Sequence, residues 1–314
     1  MSQPIYLQPV FQERIWGGTK LKQLFGYPIP NDSTGECWAI SAHANGQSIV
    51  KEGPYQGMPL GTLWNSHPEL FRSSSPVFPL LIKLLDASDD LSVQVHPDDN
   101  YAGKHENGEL GKTECWYIVD AEPDAVIIYG HEASSKEDLA HRIQNGEWEE
   151  LLTKVPVKPG DFFYVPSGTI HALGKGIVVL ETQQSSDTTY RVYDYDRRDK
   201  DGNLRELHLE KAIEVTAIPQ VYEHPSYLTN VHEGLIMTTF VSNSFFTVEK
   251  WEVSRRTQLP AHKKYTLVSV IKGEGYLHIQ NNEYMLNKGD HLILPAEFGP
   301  YELDGDLMLV ISRE

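Results

Sequence analysis

Side chains of metal-binding type occur in three strand-like segments of the sequence. Gln94 and His96 lie in LSVQVHPDD, Glu114 lies in KTECWYIVD, and His171 ends GDFFYVPSGTIH. Alternate residues of a strand point to the same face, so we expect Gln94 and His96 to point together, with Ser92 beside them. Imidazole, carboxylate and amide oxygen ligands suit a divalent ion of the zinc type. Each segment alone could hold a satisfied polar group in a turn or core, but the three together favour a metal site.

The mixed ligand set fits a catalytic metal better than a structural one. Structural zinc sites usually close with four ligands that are rich in cysteine. This chain has only two cysteines, Cys37 and Cys115. A weak amide ligand such as Gln94 would leave room at the ion for water or substrate, so the sequence predicts an enzyme.

The segments that must position these ligands are mostly short strands. Apolar and β-branched runs alternate with Gly, Pro, Asn and Asp turns along most of the chain, which predicts a mainly β fold. Two segments, at about 58–71 and 134–155, instead have helical spacing, as does 208–217. Further along the chain, alternation predicts antiparallel strands around turns at Lys272–Gly275 and Gln280–Glu283.

A weak internal repeat predicts two barrels. The segment GDFFYVPSGTIH, which ends at His171, aligns with GDHLILPAEFGP at 289–300, where Pro300 occupies the ligand position. We therefore expect an N-terminal metal-binding barrel over 1–235, which carries the helical insertions, and a metal-free C-terminal barrel over 236–314. The length of 314 residues, beyond the usual size of one domain, agrees with two such units.

Composition limits the compartment and the partners. The formal net charge is -17, which argues against non-specific binding to nucleic acid or to an anionic membrane. Two cysteines, no long apolar run and no N-terminal apolar segment with a basic flank predict a soluble protein of the cytoplasm. The net negative charge of the chain would repel a phosphorylated ligand, so a phosphate site must be built from a few local cations. Composition does not predict the oligomeric state.

The segment from Gly160 to His171 resembles the second metal motif of the cupin superfamily, Gly-x5-Pro-x-Gly-x2-His, through Pro166 and Gly168. The asparagine expected four residues after the histidine is Lys175 here, but that asparagine is not a ligand. Four blocks, QVHPDD, KTECWYIVD, SGTIHAL and TTYRVYDYDR, resemble in type and order the short bacterial form of the type I mannose-6-phosphate isomerase family. The segments ERIWGG and GECWAIS extend the resemblance over nearly the whole chain, and it implies two cupin-type (jelly-roll) β-barrels.

The resemblance also implies a reaction and a set of site residues. The reaction is the interconversion of D-mannose 6-phosphate and D-fructose 6-phosphate through a cis-enediol, with one Zn2+ per chain. His96, Glu114 and His171 are implied as zinc ligands. Gln94 is implied as the fourth ligand, and Arg191 as the catalytic arginine. A divalent metal and a guanidinium both suit the negative charge of an enediol oxyanion.

Arg191 also has an argument from its surroundings. It is a single arginine among the tyrosines of TYRVYDYD, just after the polar run TQQSSDTT. A cation held at the mouth of a cavity would have such neighbours. An ordinary salt bridge with Asp194 or Asp196 explains the same pattern equally well.

The general base and the phosphate contacts have several candidates. Glu181 ends the apolar strand IVVLE, where burial could raise its pKa toward a useful value, and it matches a glutamate implicated in the family. Asp187, Lys112 and metal-bound water are rivals for the role of base. Ser92, Lys112 and Arg197 are candidates for the phosphate, although Lys112 could serve only to neutralise a ligand carboxylate.

Two functions of other classes are alternatives. Another metal-dependent cupin enzyme, such as an iron dioxygenase, needs open positions around a redox metal held mainly by histidine, and the Gln and Glu here argue against it. A non-catalytic bicupin that binds sugar phosphate has no need of a metal, an acid/base carboxylate and an oxyanion cation in one cavity. The isomerase is therefore the favoured function.

Overall fold

The computed structural model describes residues 3–198, 201–220, 222 and 226–314. Strands predominate, as the sequence predicts. In chain order the strands are β1 (Ile5–Gln8), β2 (Val10–Gly18), β3 (Thr34–Ile40), β4 (Ile49–Val50), β5 (Leu80–Ala87), β6 (Val93–Val95), β7 (Glu114–Ala121), β8 (Val126–His131), β9 (Leu152–Pro156), β10 (Phe162–Val165), β11 (His171–Leu173), β12 (Ile177–Gln184), β13 (Tyr190–Tyr193), β14 (Leu228–His232), β15 (Leu235–Ser242), β16 (Thr247–Val253), β17 (Thr257–Leu259), β18 (Thr266–Ile279), β19 (Asn282–Asn287), β20 (His291–Leu294) and β21 (Tyr301–Arg313). The helices are α1 (Lys20–Phe25), α2 (Leu60–Ser66), α3 (Asp99–His105), α4 (Lys136–Asn145), α5 (Trp148–Leu151) and α6 (Leu209–Val215), with a 3₁₀ turn at Pro68–Leu70.

Two sheets face each other and form an N-terminal barrel. One sheet has the order β10-β7-β12-β5-β3-β2, and the other has the order β13-β6-β11-β8-β9. Side chains from both sheets meet in one core, among them Trp116 of β7 and Tyr129 of β8. On β12, Ile177 and Val179 enter this core, whereas Val178 between them points out of the barrel. Strand alternation therefore decides which side chains can meet in the barrel interior.

A ten-stranded sheet forms the C-terminal part of the molecule. Its order is β14-β15-β16-β21-β18-β20-β1-β4, with β17 paired to β21 and β19 paired to β18. A separate apolar core lies within it. Strands β1 and β4 from the start of the chain belong to this sheet, and β14 pairs with β15. The division of the chain at residue 235 stays a prediction. Two strand pairs of this sheet, β1 with β20 and β14 with β15, join residues from the two sides of that division.

A third core joins the outer face of the six-stranded sheet to the C-terminal sheet. It includes Leu180 of β12, Phe240 of β15 and Val310 of β21. At the same boundary, the Thr182 hydroxyl lies 3.0 Å from the Ser312 hydroxyl. Strand β12 is consequently buried along its whole length, with one face toward the barrel interior and the other toward the C-terminal sheet.

Helices form where the sequence predicts them and at two further places. The segment 58–71 contains α2 and the 3₁₀ turn, 134–155 contains α4 and α5, and 208–217 contains α6. The predicted helical segment 134–155 is too long at its end, because Leu152 to Val155 belong to β9, which pairs with β8. The Ser135 side chain caps α4 by accepting a hydrogen bond from the Asp138 N–H. The sequence does not predict α1 and α3, because six or seven residues are too few to show helical periodicity. None of the described helices is long and apolar enough to cross a membrane.

The predicted turn at Lys272–Gly275 is wrong. Strand β18 continues through this segment, paired on one side with β21. Gly273 instead permits a close approach of the two strands, because a Cβ atom there would collide with the Asp306 carbonyl oxygen. The predicted turn at Gln280–Glu283 is confirmed, since a hairpin joins β18 to β19 there.

Candidate active site in the N-terminal barrel

Three buried side chains converge inside the N-terminal barrel. His96 follows β6, Glu114 begins β7 and His171 begins β11. Antiparallel pairing sets His171 opposite Gln94 in one sheet, and Glu114 lies in the facing sheet. His96 Nε2 lies 3.4 Å from Glu114 Oε2, and His171 Nε2 lies 3.3 Å from Glu114 Oε1. The structure therefore brings together the three segments in which the sequence predicts metal ligands.

Backbone carbonyls orient both imidazoles. His96 Nδ1 donates a 2.9 Å hydrogen bond to the Thr188 carbonyl, and His171 Nδ1 donates one of 2.9 Å to the Thr169 carbonyl. A carbonyl oxygen only accepts, so Nδ1 carries the proton and Nε2 keeps a lone pair. Such contacts fix the tautomer and ring orientation of metal-binding histidines. Burial, with the charge of Lys112, lowers the pKa of His96 to about 3, and burial also lowers the pKa of His171, so both rings stay neutral.

The Glu114 carboxylate completes a donor set that fits a divalent metal. Both of its oxygens are buried, and neither accepts a well-aligned hydrogen bond within the described part of the chain. Burial opposes its charge, yet the ammonium group of Lys112 holds the pKa of Glu114 well below its usual range. Zinc lies about 2.0–2.2 Å from nitrogen and oxygen ligands, so atoms 3.3 and 3.4 Å apart can share one ion.

Lys112 and Gln94 flank the three side chains. Lys112 Nζ lies 2.8 Å from Glu114 Oε2 and 2.9 Å from His96 Nε2, so its ammonium group compensates the buried carboxylate. Burial opposes the charge of Lys112, but Glu114 outweighs it and raises the pKa. Gln94 directs its Nε2 at His171 Nε2, 3.3 Å away. The resemblance implies that the Gln94 oxygen is a ligand. For that, the side-chain amide must rotate so that its oxygen and nitrogen exchange positions.

A cavity of about 360 Å³ lies beside this cluster in the barrel interior. Both sheets contribute to its lining. Its charged lining residues are the cations Arg14, Lys83, Lys112, Arg191 and Arg205 and the carboxylates Glu36, Glu181 and Asp187. Five cations thus accompany three carboxylates in a chain whose net charge is -17. Ser92 and Gln94 line the same cavity.

Glu181 is buried in the wall of the cavity. Its Oε1 accepts a 3.0 Å hydrogen bond from Trp116 Nε1, and Lys83 Nζ lies 3.9 Å from its Oε2. Burial and the nearby Glu114 raise the pKa of Glu181 to about 7. Such a value suits a general acid or base near neutral pH. Asp187, the rival candidate, lines the same cavity with greater exposure.

Arg191 lines the cavity from β13. Its Nη1 donates a 2.7 Å hydrogen bond to the Glu206 carbonyl, and its buried Nε has no hydrogen-bond partner among the described residues. Asp194, the alternative partner that the sequence suggests, is bonded by Arg197 and Arg205 instead. Burial and the nearby Arg205 lower the pKa of Arg191. A guanidinium nitrogen without a partner in a cavity is available to an anionic ligand.

Sequence reasoning missed three cations of the cavity, Lys83, Arg14 and Arg205. Lys83 had a usable signal, because it interrupts the apolar run LLIKLLDA of a buried strand. Arg14 and Arg205 lie outside the blocks of metal-ligand type, and nothing in their local pattern marks them. Arg197, a predicted phosphate contact, bonds Asp194 at 2.5 Å and is not among the residues that line the cavity.

Known families match the chain at both ends. The family "Phosphomannose isomerase type I, catalytic domain" matches residues 5–119, and "Mannose-6-phosphate isomerase, cupin domain" matches residues 236–314. Mannose-6-phosphate isomerase ManA of Bacillus subtilis is 54% identical over 313 residues, which cover 99% of either chain. This chain belongs to the type I mannose-6-phosphate isomerase family. The mannose-6-phosphate isomerase of Streptococcus mutans is 55% identical and covers 100% of this chain and 99% of its own.

Solved structures agree with membership of the type I mannose-6-phosphate isomerase family. The crystal structure of the mannose 6-phosphate isomerase from B. subtilis has a TM-score of 0.98 at 51% identity, over 100% of both chains. The apo form of the enzyme from Salmonella typhimurium has a TM-score of 0.79 at 16% identity, which supports the fold alone. The family and the mainly β cupin fold predicted from the sequence are thus confirmed. The roles of individual site residues stay predictions.

Proposed function

We propose that this chain interconverts D-mannose 6-phosphate and D-fructose 6-phosphate with one Zn2+ per chain. The observation that carries the proposal is the buried cluster of His96, Glu114 and His171, whose ligand atoms lie within 4.8 Å of one another. The adjoining cavity also contains Glu181 and Arg191. A relative with 54% identity that is named a mannose-6-phosphate isomerase supports this choice of substrate.

The reaction moves one proton between C1 and C2 and another between their oxygens, through a cis-enediol. When bound, Zn2+ would polarise the sugar oxygens and stabilise negative charge on them. Gln94, a weak ligand in the cavity wall, is proposed to complete the donor set. Arg191 is proposed to stabilise the oxyanion, because its Nε lacks a hydrogen-bond partner among the described residues. The Glu206 carbonyl holds this guanidinium in place.

Glu181 is proposed as the general base that takes the carbon-bound proton. A pKa of about 7 leaves a substantial fraction of the carboxylate ionised near neutral pH, while its basicity stays high enough for proton transfer. Trp116 holds the carboxylate in one orientation. Lys112 and Asp187 are the rival candidates for the base. We also propose Lys112 as a catalytic group that donates a proton to a sugar oxygen, because its ammonium group pairs with Glu114 and lines the cavity.

The proposed substrate is a small hexose 6-phosphate. Of the phosphate contacts predicted from the sequence, Ser92 is buried and lines the cavity, and we propose it for that role. Arg197 lies outside the lining. We further propose a cytoplasmic location without nucleic-acid or membrane partners, since both cysteines are free and the net charge is -17.

A coupled assay of fructose 6-phosphate formation from mannose 6-phosphate tests the proposal. Metal is removed by chelation and restored as Zn2+, beside a His171→Ala variant. We expect activity to disappear with chelation, to return with zinc and to be absent from the variant. A zinc-loaded protein that binds mannose 6-phosphate without turnover would favour the binding bicupin. Oxygen consumption by the iron-loaded protein would favour another cupin enzyme.

A further inference from the structure

Most cations of the cavity have a carboxylate of their own. The three pairs are Arg14 with Glu36, Lys83 with Glu181, and Lys112 with Glu114. The first pair is bidentate, with bonds of 2.8 and 3.1 Å. A phosphate dianion would have to compete with these carboxylates for the same donors, so none of the three is well placed to bind it.

Positive charge is in excess at the end of the cavity where β13 leads into the following loop. Arg205 bonds both oxygens of Asp194, but Arg197 bonds the same carboxylate, so two guanidinium groups share Asp194, whereas each of the three cations above has its own partner. The other carboxylate near Arg197, that of Asp89 at 3.7 Å, is exposed to solvent. Arg191 adds a third guanidinium close to Arg205. Like charges in a partly buried site repel each other, and an anion bound between them relieves the repulsion. This end of the cavity is therefore suited to an anion.

The strand register places this end away from the metal cluster. Strands β13 and β6 pair so that Arg191 lies opposite Gln94, and the residues that follow Arg191 run away from the predicted ligands. Ser92 is two residues before Gln94, which corresponds to about 7 Å along an extended chain at a rise of about 3.3 Å per residue. A hexose whose C1 and C2 reach the ligands would extend its 6-phosphate toward Ser92 and Arg205.

We propose that Arg205 binds the phosphate group of the substrate and that Asp194 positions it. The inference rests on the proposed function, since it assigns the phosphate to one end of the same cavity. The Ser92 hydroxyl, which lines the same cavity, completes the anion site. Arg191, proposed above to stabilise the oxyanion, adds positive charge close to Arg205. Arg197 shares Asp194, but it also bonds a backbone carbonyl and does not line the cavity. Arg205 is therefore the side chain that distinguishes a phosphorylated sugar from a neutral one.

One binding constant and one kinetic constant of the zinc-loaded protein test the inference. They are the Kd for inorganic phosphate, from isothermal titration calorimetry, and the KM for mannose 6-phosphate. Arg205→Gln is expected to raise both about 10- to 100-fold, as the loss of a charge-assisted hydrogen bond does. Arg198→Gln is the matched control, because it removes the same charge from an exposed side chain bonded to the Gly202 carbonyl. It should leave both constants within about twofold of wild type.

Three outcomes would overturn the inference. An unchanged phosphate Kd in Arg205→Gln is the first, and a rise in Arg197→Gln equal to that in Arg205→Gln is the second. The third concerns Arg205→Lys, which keeps the charge but loses the planar fork, and which replaces the Gln variant if that protein does not fold. A phosphate Kd in Arg205→Lys equal to wild type would contradict the proposed role. Wild-type protein that binds phosphate through Arg205 but does not isomerise the sugar would refute the proposed function alone.

Discussion

The hydrogen bond from Trp116 to Glu181 offers a direct test of the proposed general base. Trp116 Nε1 donates to Glu181 Oε1 at 3.0 Å in the buried wall of the cavity. Burial and Glu114 raise the pKa of Glu181 to about 7, and the Trp116 bond opposes that rise because it stabilises the ionised form. Trp116→Phe removes the donor and leaves a ring in the same space. The pKa of Glu181 should therefore be higher in the variant.

The size of the effect follows from the strength of the bond. A hydrogen bond to a charged group contributes about 1.5–3 kcal/mol, and about 1.36 kcal/mol corresponds to one pKa unit. A base acts when deprotonated, so activity is lost as the pH falls through its pKa. We therefore expect the acidic limb of the kcat/KM profile to move up by about 1–2 pH units in the variant. A bound divalent ion would offset the charge of Glu114, so the wild-type limb should lie at or below pH 7, and the change is measured from it.

The matched control is Trp38→Phe. Trp38 Nε1 donates a 2.6 Å hydrogen bond to Glu36 Oε2, a carboxylate of the same cavity that is not proposed as a base. The assay is the pH dependence of kcat/KM for zinc-loaded wild type and both variants. An unmoved limb in folded, zinc-containing Trp116→Phe, or an equal movement in Trp38→Phe, would refute Glu181 as the base. Asp187, Lys112 and metal-bound water would then be the candidates.

Three further perturbations address the metal ligands and the buried charges. His171→Ala should abolish stoichiometric zinc in the purified protein, as measured by atomic spectroscopy, and an unchanged zinc content would exclude this ligand. Lys112→Met leaves Glu114 without its ion pair, so the zinc-free variant should lose about 3–5 kcal/mol of unfolding free energy in urea, and equal stability would contradict the pairing. Burial lowers the pKa of His291 to about 3, below its unfolded value, so stability should fall as the pH drops below about 6.5, by up to about 1.4 kcal/mol per pH unit. In His291→Asn, the free energy of unfolding in urea should therefore fall less steeply between about pH 6 and pH 4 than in wild type. An equally steep fall in the variant would contradict a neutral His291.

The cluster of His96, Glu114 and His171 could be predicted because local rules determine most of it. Strand alternation puts Gln94 and His96 on one face, and the turn after β10 leads directly to His171 at the start of β11. The distances between the Glu114 carboxylate and the two imidazoles could not be predicted. They depend on how the two sheets of the barrel pack against each other, and these sheets are built from strands far apart in sequence. The orientation of the Gln94 amide also depends on those contacts.

The position of Arg205 in the cavity was harder to predict from the sequence. Arg205 lies in a loop without a periodic pattern, and its place in the cavity depends on Asp194, which is eleven residues away. Arg197 has the same type and a similar distance from Asp194 in space, so only the structure separates the two. Gly273 was misassigned for a related reason. A glycine required by the approach of a distant strand has the same local signature as a glycine in a turn.

The central claim is that His96, Glu114 and His171 hold one zinc ion beside the cavity. Anomalous X-ray diffraction at the zinc edge, from crystals of the zinc-loaded protein, locates such an ion directly. We predict one peak per chain, about 2.0–2.2 Å from both imidazole Nε2 atoms and from a Glu114 oxygen. A peak at any other group of side chains, or no peak in crystals of protein that retains isomerase activity, would contradict the claim.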